Sequence, residues 1–380
     1  MPKKVVLLGA TGSIGSSTLD VIRHYKEEFE LLAVSGRSQE KRLQAIIEEF
    51  SPRYAALPTP VEWMQNYPKT EFVFGAESLN TLASLPEADI VVMALSGLSG
   101  LLPTIQAILA QKHLLSANKE AIVAAGPLIN DHLNATGKSI IPLDSEHNAL
   151  FLLTRGFESL SIHRLVLTAS GGPFYKNPAT PQTTIKDVLR HPTWNMGSYI
   201  TVNSATMLNK GFEVIEAHYL FRRPFEEIDV LIHPQSLVHG IVELTDGTCV
   251  MVASPSDMRY PISFALFHPK FPPQPLSHFS LTSKPLEFHE VPRNRFPLLW
   301  LAYEVGKSGG MLPLALNALN EEIVEAFLSE KIRFIDIENL IQKGIDEFIQ
   351  SEESRLPLSL ENLPIAEQKA RFIGKKLIGA

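Results

Sequence analysis

The chain reads as an α/β protein: a doubly wound, Rossmann-like parallel sheet over residues 1–145, an α+β block over 146–268 and a small helical C-terminal domain over 298–380. Three observations predict this. Short apolar runs alternate with amphipathic stretches from Lys4 to about Ser145; a glycine-rich turn, GATGSIG, follows the first run directly; and after Ser145 the alternation gives way to strands around an Asp246–Gly247 turn.

In order, VVLLGA is followed by a helix near Ile14–Tyr25, then LLAVSG, a second helix, EFVFG, ADIVVMALSG, HLLSAN and KSIIPLDS. Runs that are apolar on both faces suit a parallel sheet covered on each side, and strands alternating with helices give double winding. RLVLTAS and IDVLIHP read as further strands, and LVHGIVEL and TCVMVAS flank Asp-Gly, the dipeptide suited to a tight hairpin. A helix is expected from about Ser204 to Leu220, with a flexible loop over about 171–198. Seven prolines between Pro269 and Pro297 predict an extended linker over 269–297, and Leu298, Leu301, Ala302 and Val305 then resume helical spacing.

At 380 residues the length prior is roughly two to three domains. With 45% hydrophobic and 20% charged residues the composition is that of a globular enzyme. A net charge of -7 argues against a nucleic-acid partner, while a small anionic substrate needs only a local basic pocket. Cys249 is the sole cysteine, which excludes an internal disulfide; it is expected to be a small buried residue in a reducing compartment. The apolar run near the N-terminus is broken by Gly9 and Gly12 before it resembles a signal peptide, and no stretch approaches the roughly 20 apolar residues of a membrane helix. The expectation is a cytoplasmic protein with no membrane partner.

Gly9, Gly12 and Gly15 sit where a strand turns into a helix, the place for close approach of backbone to a pyrophosphate. The spacing is GxxGxxG rather than GxGxxG, so a turn without ligand remains an alternative. After the second strand come Gly36, Arg37 and Ser38, where an NAD site would offer an acid; a guanidinium and a hydroxyl suit a 2′-phosphate and favour NADP, a solvated loop arginine being the alternative.

Asp144 and Glu146, two apart at the end of a strand, are expected to project to one side and to need a cation between them, unless they are a solvated acidic turn. Oxygen donors without sulfur favour Mg²⁺ or Mn²⁺. On one helix Asn209, Lys210 and Glu213 can converge, with Ser204 at the expected helix start, where it would cap the helix or bind an anion. Ser170, Gly171 and Gly172 end a strand in a turn able to cradle phosphate. His191, Trp194 and Met196 lie in a loop suited to closing over a ligand, and Asp257 and Arg259 are expected to pair. His233, Ser236 and His239 remain polar candidates, each histidine read singly as structural.

Taken together and in order, GATGSIG, SANKE, PLDSEHNA, TASGGPF, HPTWNMG, SATMLNKGFE, LIHPQSLVHG and DMRYPI resemble the 1-deoxy-D-xylulose 5-phosphate reductoisomerase family, and NALNEEIVEAFL extends the likeness into the C-terminal helices. The resemblance implies metal ligation by Asp144, Glu146 and Glu213, and phosphate binding by Ser170, Ser204, Asn209 and Lys210 with His191 nearby. It implies sugar-hydroxyl contacts from Ser145 and Glu146, a loop indole at Trp194, and site-lining roles for His239 and Met258. Cofactor positions fall on Thr11, Gly12, Ser13, Ile14, Gly36, Arg37, Ser38, Asn118 and Glu120, with Lys119 facing the reacting centre. The implied activity is metal- and NADPH-dependent rearrangement and reduction of a sugar phosphate to 2-C-methyl-D-erythritol 4-phosphate for isoprenoid synthesis by a homodimer, with Mg²⁺, Mn²⁺ or Co²⁺ as the ion. Two departures stand out: Arg37 replaces a common Lys, preserving charge, and Ser256 replaces a common Pro, which bears on local loop rigidity. A plain NADP-dependent polyol-phosphate dehydrogenase and a non-catalytic nucleotide-sensing scaffold are the competing readings; the first needs no rearranging site, the second no acid triad beside a phosphate cluster.

Overall fold

Six of the expected apolar runs become strands, and Tyr54–Leu57, not singled out from the sequence, makes a seventh: β1 Lys3–Leu8, β2 Phe29–Ser35, β3 Tyr54–Leu57, β4 Glu71–Phe74, β5 Ile90–Met93, β6 His113–Ser116 and β7 Ile140–Pro142. The structure is a computed structural model that describes residues 1–194, 196–282 and 284–379. Asn195 of the loop motif, Ser283 of the expected linker and Ala380 of the expected helical domain lie outside the described residues. Among the described residues the seven strands form one parallel sheet in the order β4-β3-β2-β1-β5-β6-β7. Val5, Val6, Leu7 and Leu8 have no exposed surface. Covering both faces of the sheet is what selects such unbroken apolar strands over alternating ones.

A second sheet is built from β8 Ile162–Ala169, β9 Ile228–Ile232, β10 Val238–Leu244, β11 Cys249–Ala253 and β12 His289–Glu290, in the order β11-β10-β8-β9-β12. β10 and β11 are antiparallel across the Asp246–Gly247 turn; Gly247 takes φ 85, and the Thr248 N–H donates to Asp246 Oδ1 at 2.8 Å. Cys249 is exposed, contrary to expectation, because β11 is an edge strand, paired among the described residues with β10 alone. Helices Pro297–Ser308, Leu312–Leu328, Ile337–Ile349 and Leu363–Ile378 complete the C-terminal part. No helix among the described residues is long and apolar enough to cross a membrane.

The chain divides into two compact units that interleave in sequence, where contiguous segments were expected: residues 1–121, 129–148 and 257–279 form one, and 122–128, 149–256 and 280–380 the other. Aromatic packing explains why 257–279 returns to the first unit. Phe267, in the Arg259–Phe267 helix, meets Tyr25 and Phe29 edge-on, each at 4.9 Å, and the Tyr25 hydroxyl donates to the Gln274 carbonyl at 2.7 Å. The proline-rich stretch is thus divided: its first part joins the first unit, and β12 pairs with β9 in the second.

His113 on β6 donates through Nε2 to the Ala265 carbonyl at 3.4 Å and stacks on His268, and burial pushes its pKa down to about 4. A histidine held neutral in the fold stabilises it fully above the unfolded pKa, near 6.5, and that stability is lost as pH falls toward 4. The His113→Gln variant, which keeps a donor but does not titrate, is expected to lose less melting temperature than wild type between pH 6.5 and 4; parallel profiles would exclude His113 as an acid-sensitive point.

Candidate functional site

The strand order reverses at β1, with β2 on one side and β5 on the other, which makes the end of β1 the topological switch point where open α/β sheets bind ligands. There Gly9 takes φ 89, and a Cβ on it would stand 2.3 Å from the Ala94 carbonyl oxygen; a Cβ on Gly15 would stand 2.4 Å from the Gly9 oxygen. Both glycines are therefore demanded by the fold. Gly12 is different: it is the N-cap of the Ser13–His24 helix, has ordinary extended φ, makes no side-chain cap and leaves space beside the helix N-terminus. The Gly9 N–H donates to Ser35 Oγ at 2.8 Å, tying this turn to the end of β2, from which Gly36, Arg37 and Ser38 follow, the last two exposed. Thr11 is buried with its methyl beside Gly36, while Ser13 is exposed and Ile14 partly so.

Asn118 has no exposed surface, and its Nδ2 donates to the Leu95 and Gly97 carbonyls at 3.1 and 2.9 Å and to Glu120 Oε2 at 3.2 Å. Its side chain thus braces the loop after β5 and orients Glu120. Next to it, Lys119 Nζ lies 3.1 Å from Asp144 Oδ2.

Asp144 and Glu146 are neighbours for a reason other than strand alternation. β7 ends at Pro142 and a helix begins at Ser145, so Glu146 stands in a first helical turn. Asp144 Oδ1 accepts the Glu146 and His147 N–H groups at 3.2 and 3.4 Å and the His147 Nδ1–H at 3.0 Å, which is helix-capping geometry. Ser145 Oγ donates to Glu146 Oε2 at 2.5 Å. His147, fully buried, was not singled out from the sequence; its signal was the three-residue offset from Asp144 in DSEHN.

In the second unit the expected helix from Ser204 is two helices, Ser198–Ala205 and Leu208–Phe221, separated by Met207 at φ 61. Ser204 therefore lies in the last turn of one helix and caps neither. Asn209 Nδ2 donates to Glu213 Oε1 at 2.5 Å, and Lys210 pairs with the other Glu213 oxygen, Lys210 and Glu213 both being buried.

His191 Nδ1 accepts the Trp194 N–H at 2.9 Å and the Thr193 N–H at 3.3 Å, so in the neutral ring Nε2 carries the proton. Burial pushes this histidine down to about 4, and at neutral pH the ring is uncharged. Nε2–H is shared between Ser170 Oγ at 3.0 Å and Ser204 Oγ at 3.1 Å, and Ser170 Oγ also accepts the Gly172 N–H at 3.1 Å. Each serine accepts from the imidazole and can turn its own proton toward an anion.

The Trp194 ring packs edge-on to His239, centroids 5.9 Å apart, while His239 Nε2–H donates to the Ser254 carbonyl at 3.1 Å. Thr193, also missed in the sequence, donates to Ser236 Oγ at 3.1 Å and anchors the Trp194 loop. Ser256, at the proline position, donates to the Ser236 carbonyl at 2.8 Å, so a hydrogen bond constrains this loop. His233 bonds the Glu287 carbonyl and the Leu237 N–H and stacks on Phe288, a structural role. Met258 precedes the Arg259–Phe267 helix in the first unit, and Asp257 and Arg259 pair at 2.6 Å.

Three sequence models match the chain: 1-deoxy-D-xylulose 5-phosphate reductoisomerase over residues 5–126, the C-terminal domain of that enzyme over 140–221, and a further DXP reductoisomerase C-terminal domain over 253–373. The 1-deoxy-D-xylulose 5-phosphate reductoisomerase of Leptospira interrogans serovar copenhageni is 44% identical over 98% of this chain and 96% of its own. That of Thermomicrobium roseum is 44% identical over 99% and 97%. A crystal structure of DOX-P reductoisomerase with NADPH, fosmidomycin and magnesium matches with a TM-score of 0.91 at 34% identity, covering 99% of this chain and 98% of that one. The Zymomonas mobilis enzyme with NADPH matches with a TM-score of 0.89 at 35% identity over the whole of both chains. The motifs and the fold agree along the full length, and the chain belongs to the 1-deoxy-D-xylulose 5-phosphate reductoisomerase family.

Proposed function

We propose that this protein converts 1-deoxy-D-xylulose 5-phosphate into 2-C-methyl-D-erythritol 4-phosphate, using NADPH and a divalent cation, in the non-mevalonate route to isoprenoids. The observation that carries the substrate end is the meeting of Ser170, His191 and Ser204, from the end of a strand, a loop and a helix, around one imidazole N–H. A neutral donor and two hydroxyls, with Asn209 and Lys210 on the following helix, suit a phosphate ester.

The donor chemistry fits a hard cation: Asp144, Glu146 and Glu213 offer oxygen only, suiting Mg²⁺, with Mn²⁺ and Co²⁺ as alternatives. The turn at Gly12, with an uncapped helix N-terminus, fits a pyrophosphate. When bound, the cation supplies Lewis-acid polarisation of the substrate carbonyl and the nicotinamide supplies hydride. The protein's own groups do the remaining work. Ser145 and Glu146 take the sugar hydroxyls, and Lys119, beside Asp144, holds positive charge at the reacting centre. Trp194, His239 and Met258 exclude water from the carbon skeleton. Thr11, Gly12, Ser13, Ile14, Gly36, Arg37, Ser38, Asn118 and Glu120 form the cofactor side, Asn118 acting through its backbone and through the loop it braces.

The finer readings are a cytoplasmic homodimer, with the open edge of β11, where Cys249 and Met251 are exposed, as its pairing surface. Sedimentation at micromolar concentration tests the dimer.

NADPH oxidation that depends on both 1-deoxy-D-xylulose 5-phosphate and a divalent cation, with the branched tetritol phosphate as product, is the expected result. An unrearranged pentitol phosphate would indicate a plain dehydrogenase, and no turnover with Mg²⁺, Mn²⁺ or Co²⁺ would refute the proposal. In the same assay Arg37→Asp is expected to raise KM for NADPH by at least about tenfold more than KM for NADH, the worth of a charged hydrogen bond; equal losses would remove Arg37 from 2′-phosphate recognition.

A further inference from the structure

We infer that the contact between buried Asn320 and half-buried Tyr199 is a positioning device for the phosphate end of the site, an inference that rests on the phosphate reading of Ser170, His191 and Ser204. Asn320 has no exposed surface, and its Nδ2 donates to the Tyr199 hydroxyl at 2.7 Å. It sits in the Leu312–Leu328 helix among Leu316, Leu319 and Ile323, which are likewise fully buried. Tyr199 is the second residue of the Ser198–Ala205 helix that carries Ser204, and Asn203 follows it one turn later. The Oδ1 atoms of Asn203, Asn317 and Asn320 are buried and accept no hydrogen bond from the protein among the described residues.

A buried amide carbonyl without a donor is destabilising, and apolar residues of similar volume at such positions are often neutral or better for stability. What the amide–phenol contact adds, and Leu against Phe cannot, is direction. It sets the roll and height of the Ser204 helix. A roll of about 20° moves an atom at a helix's outer radius by roughly 2 Å, enough to separate Ser204 Oγ from the His191 Nε2 that now lies 3.1 Å away. The loop bearing His191 and Trp194 runs directly into this helix through Gly197, whose carbonyl accepts the Thr201 hydroxyl at 2.9 Å. The contact therefore bears on the helix and on the loop that leads into it.

The test compares Tyr199→Phe, Asn320→Leu and the double variant with wild type and with Ser204→Ala, measuring kcat, KM for each substrate and melting temperature. Tyr199→Phe is expected to raise KM for 1-deoxy-D-xylulose 5-phosphate about tenfold, with kcat and KM for NADPH within about twofold, the pattern of lost uniform binding. The double variant, which removes both the amide and the phenol oxygen of this contact, is expected to regain melting temperature but keep the raised KM. A KM that returns with the melting temperature, or no rise in Tyr199→Phe, would overturn the positioning role. If Ser204→Ala raises KM and Tyr199→Phe does not, only this inference fails. If Ser204→Ala leaves KM unchanged, or wild type does not turn over, the phosphate reading fails and the inference with it.

Discussion

Glu213→Gln is expected to lower kcat by at least about 100-fold, because loss of a proposed direct cation ligand should exceed the 10–100-fold typical of groups one shell further out. NADPH affinity is expected to stay at the wild-type value, since the glycine turn belongs to the other compact unit. Glutamine keeps the size of the side chain and an oxygen for Asn209 Nδ2, so what the substitution removes is charge. That charge has a second role. The Lys210 and Glu213 side chains are only 5% and 2% exposed, and removing the carboxylate charge takes from Lys210 its buried ion-pair partner on this helix, a loss of about 3–5 kcal/mol. Adding Lys210→Met to Glu213→Gln should return much of that stability and none of the activity. Turnover, cation titration and denaturant unfolding separate the two effects. Activity within tenfold of wild type in Glu213→Gln would place the carboxylate outside the reacting centre.

Gly9→Ala and Gly12→Ala, three residues apart in one motif, are expected to fail in different ways. At Gly9 a methyl group meets two obstacles, φ 89 and the Ala94 backbone oxygen at 2.3 Å, just past the end of β5, and neither yields to a change of rotamer. Left-handed backbone and overpacking together amount to about 2–5 kcal/mol, so this variant should unfold at much lower denaturant. At Gly12, φ is -78 and the nearest atom is 3.5 Å away, so stability should change by no more than about 0.5 kcal/mol. Its added methyl would occupy space beside the helix N-terminus, where the proposed pyrophosphate approaches, and NADPH affinity should fall at least about tenfold. If Gly12→Ala binds NADPH as wild type does, GATGSIG is a strand-to-helix turn and nothing more.

The acid pair shows how a motif can be legible while its geometry is not. Two carboxylates two residues apart suggested a pleated strand, yet Pro142 ends the strand and Asp144 caps the next helix. Strand and cap place the residues close together by different physics, and nothing in PLDSEHNA alone chooses between them. Ser204 was expected at a helix start because capping serines commonly sit there; the left-handed backbone at Met207, a non-glycine residue, moved the break three residues on. Cys249 was expected to be buried from its flanks, and its place at a sheet edge exposes it.

By itself the sequence determined what depends on near neighbours: six of the seven strands of the first sheet, a glycine turn where β1 enters a helix, an Asp-Gly hairpin and the motif order that marks the family. Each of these is written in the spacing of adjacent residues, because backbone conformation and side-chain periodicity are local. Tertiary structure alone decided that residues 257–279 return to the first unit through Phe267, that Ser170, His191 and Ser204 share one proton, and that Asn320 meets Tyr199. Those contacts join residues 13 to more than 200 positions apart, where loop closure and burial rather than spacing choose the partner.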